Sequence, residues 1–253
     1  MSLPADLTKV SVGQLVEQFG RESIPLGNSF SYFAVALPLA EEETKEYLLD
    51  PIAALPPDVA SVLPKVLILL VPYLERVNGK PGAAGEDLMT TERPAENRWL
   101  DSTGLLSDGL SVLAFGVRDQ EMADYHYHFY RALSDLAANH MGLEAESRYF
   151  SLLREELNGR VHGEVDERSW HLKQALLRRQ SGVRRETKPF RAYARQSLVD
   201  TMTLYLHGIC CDIDVDTGPR QLPSRYLRKR LQLLHSMYPP PKGYVVFPED
   251  LKD

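Results

Sequence analysis

The sequence predicts a mainly α fold, a helical assembly with a few short strands or extended segments. Two observations predict it: apolar residues recur at helical spacing through most of the chain after residue 108, and short turns rich in Gly or Pro separate these stretches. A third observation concerns size. A chain of 253 residues with 43% hydrophobic content can bury a large core, so we expect one domain over 1–253.

The first half of the chain predicts a helix, a strand and a second helix. Ser11 is a suitable N-cap for a helix that ends at Gly20. Residues 29–37 are aromatic and apolar and are the best strand candidate in this half. Glu41–Leu49 should be helical, because acidic residues in a first turn interact favourably with the helix dipole.

Two later segments of this half are less regular. Residues 66–71 form an apolar run whose length and flanking prolines fit a buried strand, but Val62, Val66 and Leu70 also fit a helical stripe. The balance favours a helix. Residues 78–97 contain several Gly and Pro and no apolar periodicity, which predicts a long flexible loop.

The second half predicts a series of helices, each with apolar positions on one face and a terminating residue at its end. Gly142, Asn158-Gly159, Ser181-Gly182, Gly208 and Pro239 are the expected ends, and Pro189 fits a first turn. The residues that share each apolar face include the following sets: Leu110, Leu113, Ala114 and Val117; Met122, Tyr125, Phe129 and Leu133; Tyr149, Leu152, Leu153 and Leu157; Trp170, Leu172, Leu176 and Leu177; Phe190, Ala194, Leu198, Met202 and Tyr205; Leu227, Leu231, Leu234 and Tyr238.

The composition bounds the cellular setting. No apolar run approaches the roughly 20 residues that a membrane helix needs, so we expect a soluble protein. The two cysteines, Cys210 and Cys211, are adjacent and do not suggest a disulfide framework. With no secretory signal apparent at the N-terminus, these features predict a cytoplasmic protein.

Charge is distributed unevenly along the chain. Residues 1–144 carry 10 Lys/Arg against 21 Asp/Glu, whereas residues 145–253 carry 19 against 14. Nine basic residues and one acid lie between Arg168 and Arg195. The asymmetry predicts either mutual attraction of the two halves or an acidic partner. An isoelectric point of about 5.7 favours a protein partner over nucleic acid. The candidate contact residues are Arg184, Arg185, Arg191, Arg195, Arg220 and Arg225.

An acidic segment, Asp212, Asp214 and Asp216, is the sharpest local motif. On a strand the three carboxylates would share one face and could bind Mg²⁺ or Mn²⁺. Such a site would suit a metal-dependent enzyme acting on a phosphate-containing or nucleic-acid substrate. The alternative, which we favour, is an acidic turn in which these side chains cap the backbone or pair with Arg220 and Arg225.

Histidine chemistry gives a third, weaker hypothesis. His126 and His128 could share a metal ion on a strand, but the surrounding pattern predicts a helix, which points them in different directions. His171 could bind an ion together with Glu167. We expect these histidines to pack against aromatic residues instead.

Since the sequence contains no complete catalytic pattern, it leaves open whether the protein is an enzyme. It favours a non-enzymatic adaptor or regulatory protein that binds an acidic partner, with the metal-dependent enzyme as the alternative.

Overall fold

The computed structural model describes residues 9–27, 29–76, 87–107, 109–178, 186–211 and 220–247. Of these residues, 55% are helical and 18% are in strands, and the strands form two sheets. The prediction of a mainly α fold with few strands is therefore wrong, because this is an α/β mixture. The chain divides into unit 1 (Met1–Ala53 and Leu63–Ala132) and unit 2 (Ala54–Val62 and Leu133–Asp253).

All strands of the described residues belong to unit 1. They are β1 (Lys9–Ser11), β2 (Ile24–Pro25), β3 (Phe30–Ala34), β4 (Val66–Val71), β5 (Tyr73–Glu75), β6 (Leu88–Thr90), β7 (Trp99–Leu100), β8 (Ser102–Ser107) and β9 (Leu110–Gly116). One sheet has the order β1-β6-β5-β7 and is antiparallel; the other has the order β2-β3-β4-β9-β8. In the second sheet β3, β4 and β9 are parallel, and β2 and β8 are antiparallel edges.

The α-helices are α1 (Val12–Phe19), α2 (Glu41–Thr44), α3 (Asp50–Ala53), α4 (Pro57–Val62), α5 (Met122–His140), α6 (Leu143–Asn158), α7 (Glu167–Leu177), α8 (Lys188–Cys210) and α9 (Ser224–Met237). A π-helical segment, Lys45–Leu49, joins α2 to α3, and short 3₁₀ segments lie at Gly20–Glu22 and Glu96–Arg98. The boundary between the two units falls within α5. Of the described residues, no helix is long and apolar enough to cross a bilayer.

Strand β4 explains the error in the fold prediction. All six of its residues are buried, and it pairs in parallel with β3 on one side and with β9 on the other. A central parallel strand is covered on both faces, so its sequence is continuously apolar instead of alternating. Periodicity cannot separate such a run from a buried helix, and the preference for a helix at residues 66–71 was wrong. The helix predicted from Leu110 to Val117 is likewise the strand β9.

One face of this five-stranded sheet packs on α1 and on the four-stranded sheet. Leu67, Leu69 and Val71 of β4 are fully buried there, in a cluster that includes Val12 and Leu15 of α1. Burial of such a side chain stabilises the fold by about 1.5–3 kcal/mol. The prediction for α1 is confirmed: the Ser11 hydroxyl accepts from the Gln14 amide, and the Gln14 side chain accepts from the Ser11 amide.

Pro51 accounts for two hydrogen bonds that helix α5 makes to the π-helical segment Lys45–Leu49. Pro51 has no N–H, so it cannot donate to the carbonyl of Tyr47 or Glu46, four and five residues earlier. Helix α5 supplies these donors: the Tyr125 hydroxyl lies 2.8 Å from the Tyr47 oxygen, and His126 Nε2 lies 2.9 Å from the Glu46 oxygen. Both bonds join elements of unit 1, and they fix the first turns of α5 beside Lys45–Leu49.

The helices predicted from Tyr149 onwards are confirmed as α6, α7, α8 and α9 of unit 2. The end predicted at Gly208 is wrong, because α8 continues to Cys210, and the end predicted at Ser181-Gly182 lies outside the described residues. Helix α6 ends at Gly159 and α8 has Pro189 in its first turn. Thr187 caps α8 by accepting from the Phe190 amide. Within the stretch predicted as a flexible loop, Leu88–Thr90 forms β6, and residues 78–86 lie outside the described residues.

Candidate functional site

The core of unit 2 contains an ionic cluster formed by Glu156, Glu164, Lys173 and Arg230. Each residue is at most 2% exposed. Arg230 donates from Nη1 to Glu164 Oε2 at 2.8 Å and from Nη2 to Glu156 Oε2 at 2.6 Å. Lys173 Nζ lies 3.0 Å from Glu164 Oε1. The cluster therefore connects α6, α7, α9 and the segment before α7.

Neutral groups complete the bonding of this cluster. The Tyr193 hydroxyl donates to Glu164 Oε1 at 2.5 Å, and Arg230 also donates to the Ser197 hydroxyl at 2.8 Å. Lys173 donates to the Gly163 carbonyl at 2.8 Å. Two carboxylates thus face two cations, and hydrogen bonds satisfy the buried charges, which is the condition under which such a group can be buried at all.

Electrostatics keep the ionic cluster charged. Burial alone would raise the pKa of Glu164, but the charge and hydrogen bonds of Arg230, with Lys173 and Tyr193, outweigh burial and lower this pKa to about 2. Burial and the adjacent Glu164 carboxylate raise the pKa of Tyr193 well above its usual value. Neither group exchanges a proton near neutral pH, so the arrangement suits a structural role better than acid–base catalysis.

Backbone contacts near the ionic cluster position the start of α9. The Glu164 amide donates to the Arg220 carbonyl at 3.0 Å, and the Leu222 amide donates to the Glu164 carbonyl at 3.0 Å. Gly163 has φ +76°, and a Cβ there would lie 2.1 Å from the Gln221 oxygen. Only glycine fits this approach without displacing the backbone. The pairing holds Glu164 facing inward and Arg220 at the surface.

The outer face of α9 is basic. Arg225, Arg228 and Lys229 are exposed, and the latter two follow Arg225 by three and four residues, while Arg230 points into the core. The helix has four Lys/Arg and no Asp/Glu, and its N-cap, Pro223, supplies no side-chain bond. Basic residues near a helix N-terminus face the positive end of the dipole, which costs about 0.3–1 kcal/mol each. An anion at this end would be favoured both by the helix dipole and by the basic side chains.

Aromatic rings hold three of the arginines at this surface. The Arg225 guanidinium lies 4.7 Å from the Tyr226 ring centroid, Arg220 lies 4.9 Å from Trp170, and Arg228 lies 5.5 Å from Phe247. Stacking orients the planar guanidinium while its N–H groups can still donate at the rim. We call the set Arg220, Arg225, Arg228 and Lys229 the basic surface.

The sequence-predicted basic residues divide between two environments. Arg220 and Arg225 belong to the basic surface. Arg191 lies 3.3 Å from Glu186, and Arg195 lies 3.0 Å from Asp135 Oδ1 and also donates to Asn139. The latter two arginines are therefore engaged by surface partners of unit 2. Of these two contacts, only the pair of Arg195 with Asp135 joins the basic half of the sequence to the acidic half, as the charge asymmetry allowed, because Glu186 lies in the basic half.

Five other candidate residues lie outside the described residues: Arg184, Arg185, Asp212, Asp214 and Asp216. The Mg²⁺ or Mn²⁺ site at the three aspartates therefore stays a prediction. Within each unit, the described residues include no group of three or more His, Cys, Asp or Glu whose ligand atoms lie close enough to share an ion.

The histidines make separate contacts. His126 and His128 lie on α5, so the predicted helix is confirmed. His126 Nε2 carries its proton, because the Glu46 carbonyl can only accept. His128 Nε2 is 3.5 Å from Asp101 Oδ2; burial lowers its pKa, although Asp101 opposes this effect. His171 Nε2 is 3.4 Å from Glu167 at an exposed position.

Sequence reasoning missed Arg228, Lys229 and the whole ionic cluster. The segment 224–230 has four basic residues and no acid, which was a usable signal for the basic surface. No comparable signal existed for Glu164, because its partners lie up to 66 residues away.

No protein-family model, curated protein or solved structure matches the chain.

Proposed function

We propose that the protein is a non-enzymatic adaptor or regulatory protein, whose basic surface in unit 2 binds an acidic segment of a partner protein. One observation carries the proposal: Arg225 lies on an acid-free, uncapped first turn of α9, with its guanidinium against Tyr226. This placement opposes the helix dipole, and the contact with the Tyr226 ring is only large enough to offset that cost. The same placement serves the binding of a carboxylate, which accepts from both the guanidinium fork and the helix N–H groups.

The surrounding charges support a local interaction. Glu167 lies 3.5 Å from Arg220 and Glu155 lies 2.9 Å from Lys229, and both pairs are largely exposed. Exposed pairs contribute only about 0–1 kcal/mol, so a partner carboxylate can replace them at little cost. Arg225 and Arg228 stay oriented on their rings during such an exchange.

Charge outside the basic surface favours protein over nucleic acid. Unit 1 carries 10 Lys/Arg against 18 Asp/Glu, and unit 2 carries 19 against 17. The phosphates of a nucleic acid contact an extended positive area of a protein, whereas an acidic peptide of a few residues needs only one small positive patch. The basic surface is of the second kind.

Fluorescence anisotropy tests the proposal with a labelled Glu/Asp-rich peptide as the probe. We expect binding that weakens as salt is added, and that Arg225→Glu reduces about tenfold or more, since a charge-assisted hydrogen bond contributes about 1.5–3 kcal/mol. Lys65→Glu, at an exposed lysine of unit 1, changes the net charge equally and should leave affinity nearly unchanged.

Two further arms sharpen the result. Arg225→Lys keeps the charge but loses the planar fork, so intermediate affinity is expected. A labelled single-stranded DNA of equal charge should bind more weakly than the peptide. Equal losses in Arg225→Glu and Lys65→Glu, or tighter binding of the DNA, would overturn the proposal.

A further inference from the structure

After α9 the chain reverses and runs back along this helix as a strap, which we define as residues 239–247. The Tyr205 hydroxyl of α8 donates to the Tyr238 carbonyl at 2.5 Å, and this bond fixes the point where the strap leaves the helix. The Tyr244 amide donates to the Pro241 carbonyl at 3.1 Å, which closes the turn that reverses the chain. The start of the strap is therefore held by defined contacts within unit 2.

The far end of the strap lies on the basic surface. The Phe247 ring centroid is 5.5 Å from the Arg228 guanidinium and 5.8 Å from the His235 ring centroid. Arg228 lies in the first half of α9 and His235 in its last turn, so the strap passes along the helix from its end towards its start. The contacts of Phe247 with the guanidinium and with the imidazole stabilise this position. The strap therefore brings the residues that follow it to the basic surface.

The residues that follow the strap begin with two acids. Residues 248–253 read PEDLKD, so Glu249 and Asp250 come two and three positions after Phe247. These six residues lie outside the described residues. A chain spans at most about 3.6 Å per residue, so the Cα atoms of the two acids lie within about 7 and 11 Å of the Phe247 Cα. The Arg228 guanidinium, which lies against Phe247, is within reach of both carboxylates.

We propose that Glu249 and Asp250 occupy the basic surface of their own chain and compete there with the acidic partner. This inference rests on the proposed function, because it assigns a regulatory competitor to the same surface. Arg225 and Arg228 are one turn apart, about 4.5 Å along the helix axis, so two adjacent carboxylates match two neighbouring cations. The N–H groups at the rim of each guanidinium donate to these carboxylates while the ring contacts stay in place.

The attachment of the acids to the strap makes weak ion pairs sufficient. A segment joined through a short connection has an effective concentration in the millimolar range at its site. Exposed ion pairs that are too weak to hold a separate peptide therefore still occupy the surface when the strap presents them. A partner displaces the segment only when its own acids bind more strongly or reach a higher local concentration.

The double variant Glu249→Gln with Asp250→Asn tests the competition in the full chain. The labelled Glu/Asp-rich peptide should bind this variant at least about threefold more tightly than wild type, because the apparent affinity scales with the fraction of molecules whose surface is open. The matched control is Glu41→Gln with Glu42→Gln, at two exposed acids of α2, which changes the net charge equally. The control should leave the affinity nearly unchanged. Far-ultraviolet circular dichroism confirms that each variant is folded.

Arginine side-chain NMR signals, recorded without any peptide, separate this inference from the proposed function. The Nε–H signals of Arg225 and Arg228 should shift between wild type and the Glu249→Gln, Asp250→Asn variant, because the neighbouring carboxylates are lost. Signals that shift while neither protein binds the peptide would support the internal contact and contradict the proposed function alone. Signals that stay in place, or equal affinities of wild type and the variant for the peptide, would overturn the inference.

Discussion

Arg230 of α9 and Glu164, which precedes α7, form an ion pair that is buried on both sides, with Nη1 2.8 Å from Oε2. Arg228 and Lys229, its neighbours along the helix, are exposed. One turn of α9 thus contributes a cation to the core and two cations to the surface. The buried pair sets the rotation of the helix, and this rotation directs the basic surface towards solvent.

Loss of Arg230 should destabilise the protein strongly. In Arg230→Met, Glu156 and Glu164 stay buried with Lys173 as the remaining cation of the ionic cluster. Breaking a buried pair in this way costs about 3–5 kcal/mol. Arg228→Met, at an exposed arginine of the same helix, should change stability by about 0.5 kcal/mol or less. Urea unfolding followed by circular dichroism measures both, and similar losses in the two variants would contradict the role given to Arg230.

Acid should weaken the fold through Glu164. Its pKa is lowered from 4.5 to about 2 in the folded state. The unfolded chain therefore binds the proton more readily, so the contribution of Glu164 is complete above pH 4.5 and is lost as the pH falls towards 2. One such group contributes a slope of at most about 1.4 kcal/mol per pH unit.

Glu164→Gln should remove this part of the pH dependence and lower stability at neutral pH. Glu155→Gln, at an exposed glutamate of α6, should retain the wild-type slope because the ionic cluster stays intact. Urea unfolding at a series of acidic pH values makes the comparison. An unchanged slope in Glu164→Gln would mean that other carboxylates govern acid unfolding.

A single added methyl group at Gly163 should be severely destabilising. The new Cβ would lie 2.1 Å from the Gln221 oxygen, at a φ of +76° that disfavours any side chain. Relief requires separation of Glu164 from residues 220–222, so we expect a loss above about 3 kcal/mol. Gly20→Ala is the control, because Gly20 has φ −60° and its nearest contact is 3.6 Å. Thermal unfolding distinguishes a lowered midpoint in the first variant from little change in the second.

The stability that the hydrogen bond from Tyr125 to the Tyr47 carbonyl contributes should depend on Pro51. Tyr125→Phe removes the donor and should cost about 1–3 kcal/mol, the penalty for an unsatisfied buried acceptor. In a Pro51→Ala background the restored N–H can serve a carbonyl of the preceding turn, so the same change should cost less. A double-mutant cycle by urea unfolding measures this coupling. Additive costs would show that the hydroxyl does not compensate for the proline.

The parts of the fold that local sequence determines were predicted. The capping pair Ser11 and Gln14, Pro189 in a first turn and Gly159 at a helix end act within a few residues, so a linear sequence shows them. The sheet was missed because β4 is apolar at every position and its partners β3 and β9 lie far away along the chain. Strand pairing is a long-range property, and a buried parallel strand has no periodicity that reveals it.

The candidate site was predicted only in part for the same reason. Arg220 and Arg225 were selected from charge alone, whereas their stacking on Trp170 and Tyr226 required the structure. Arg230 looks in the sequence like one more basic residue of a surface helix. Its burial depends on Glu156 and Glu164, 74 and 66 residues away, which no local pattern indicates.

The most direct test of the proposed binding function is a titration of the ¹⁵N-labelled protein with the Glu/Asp-rich peptide, followed by amide and indole NMR signals. The largest shifts should occur at the amides of Ser224 and Arg225 and at the Trp170 indole, since these lie beside the start of α9 and Arg220. The same signals should stay in place in Arg225→Glu. Shifts confined to residues outside the basic surface and Trp170, or no shifts at all, would contradict the account.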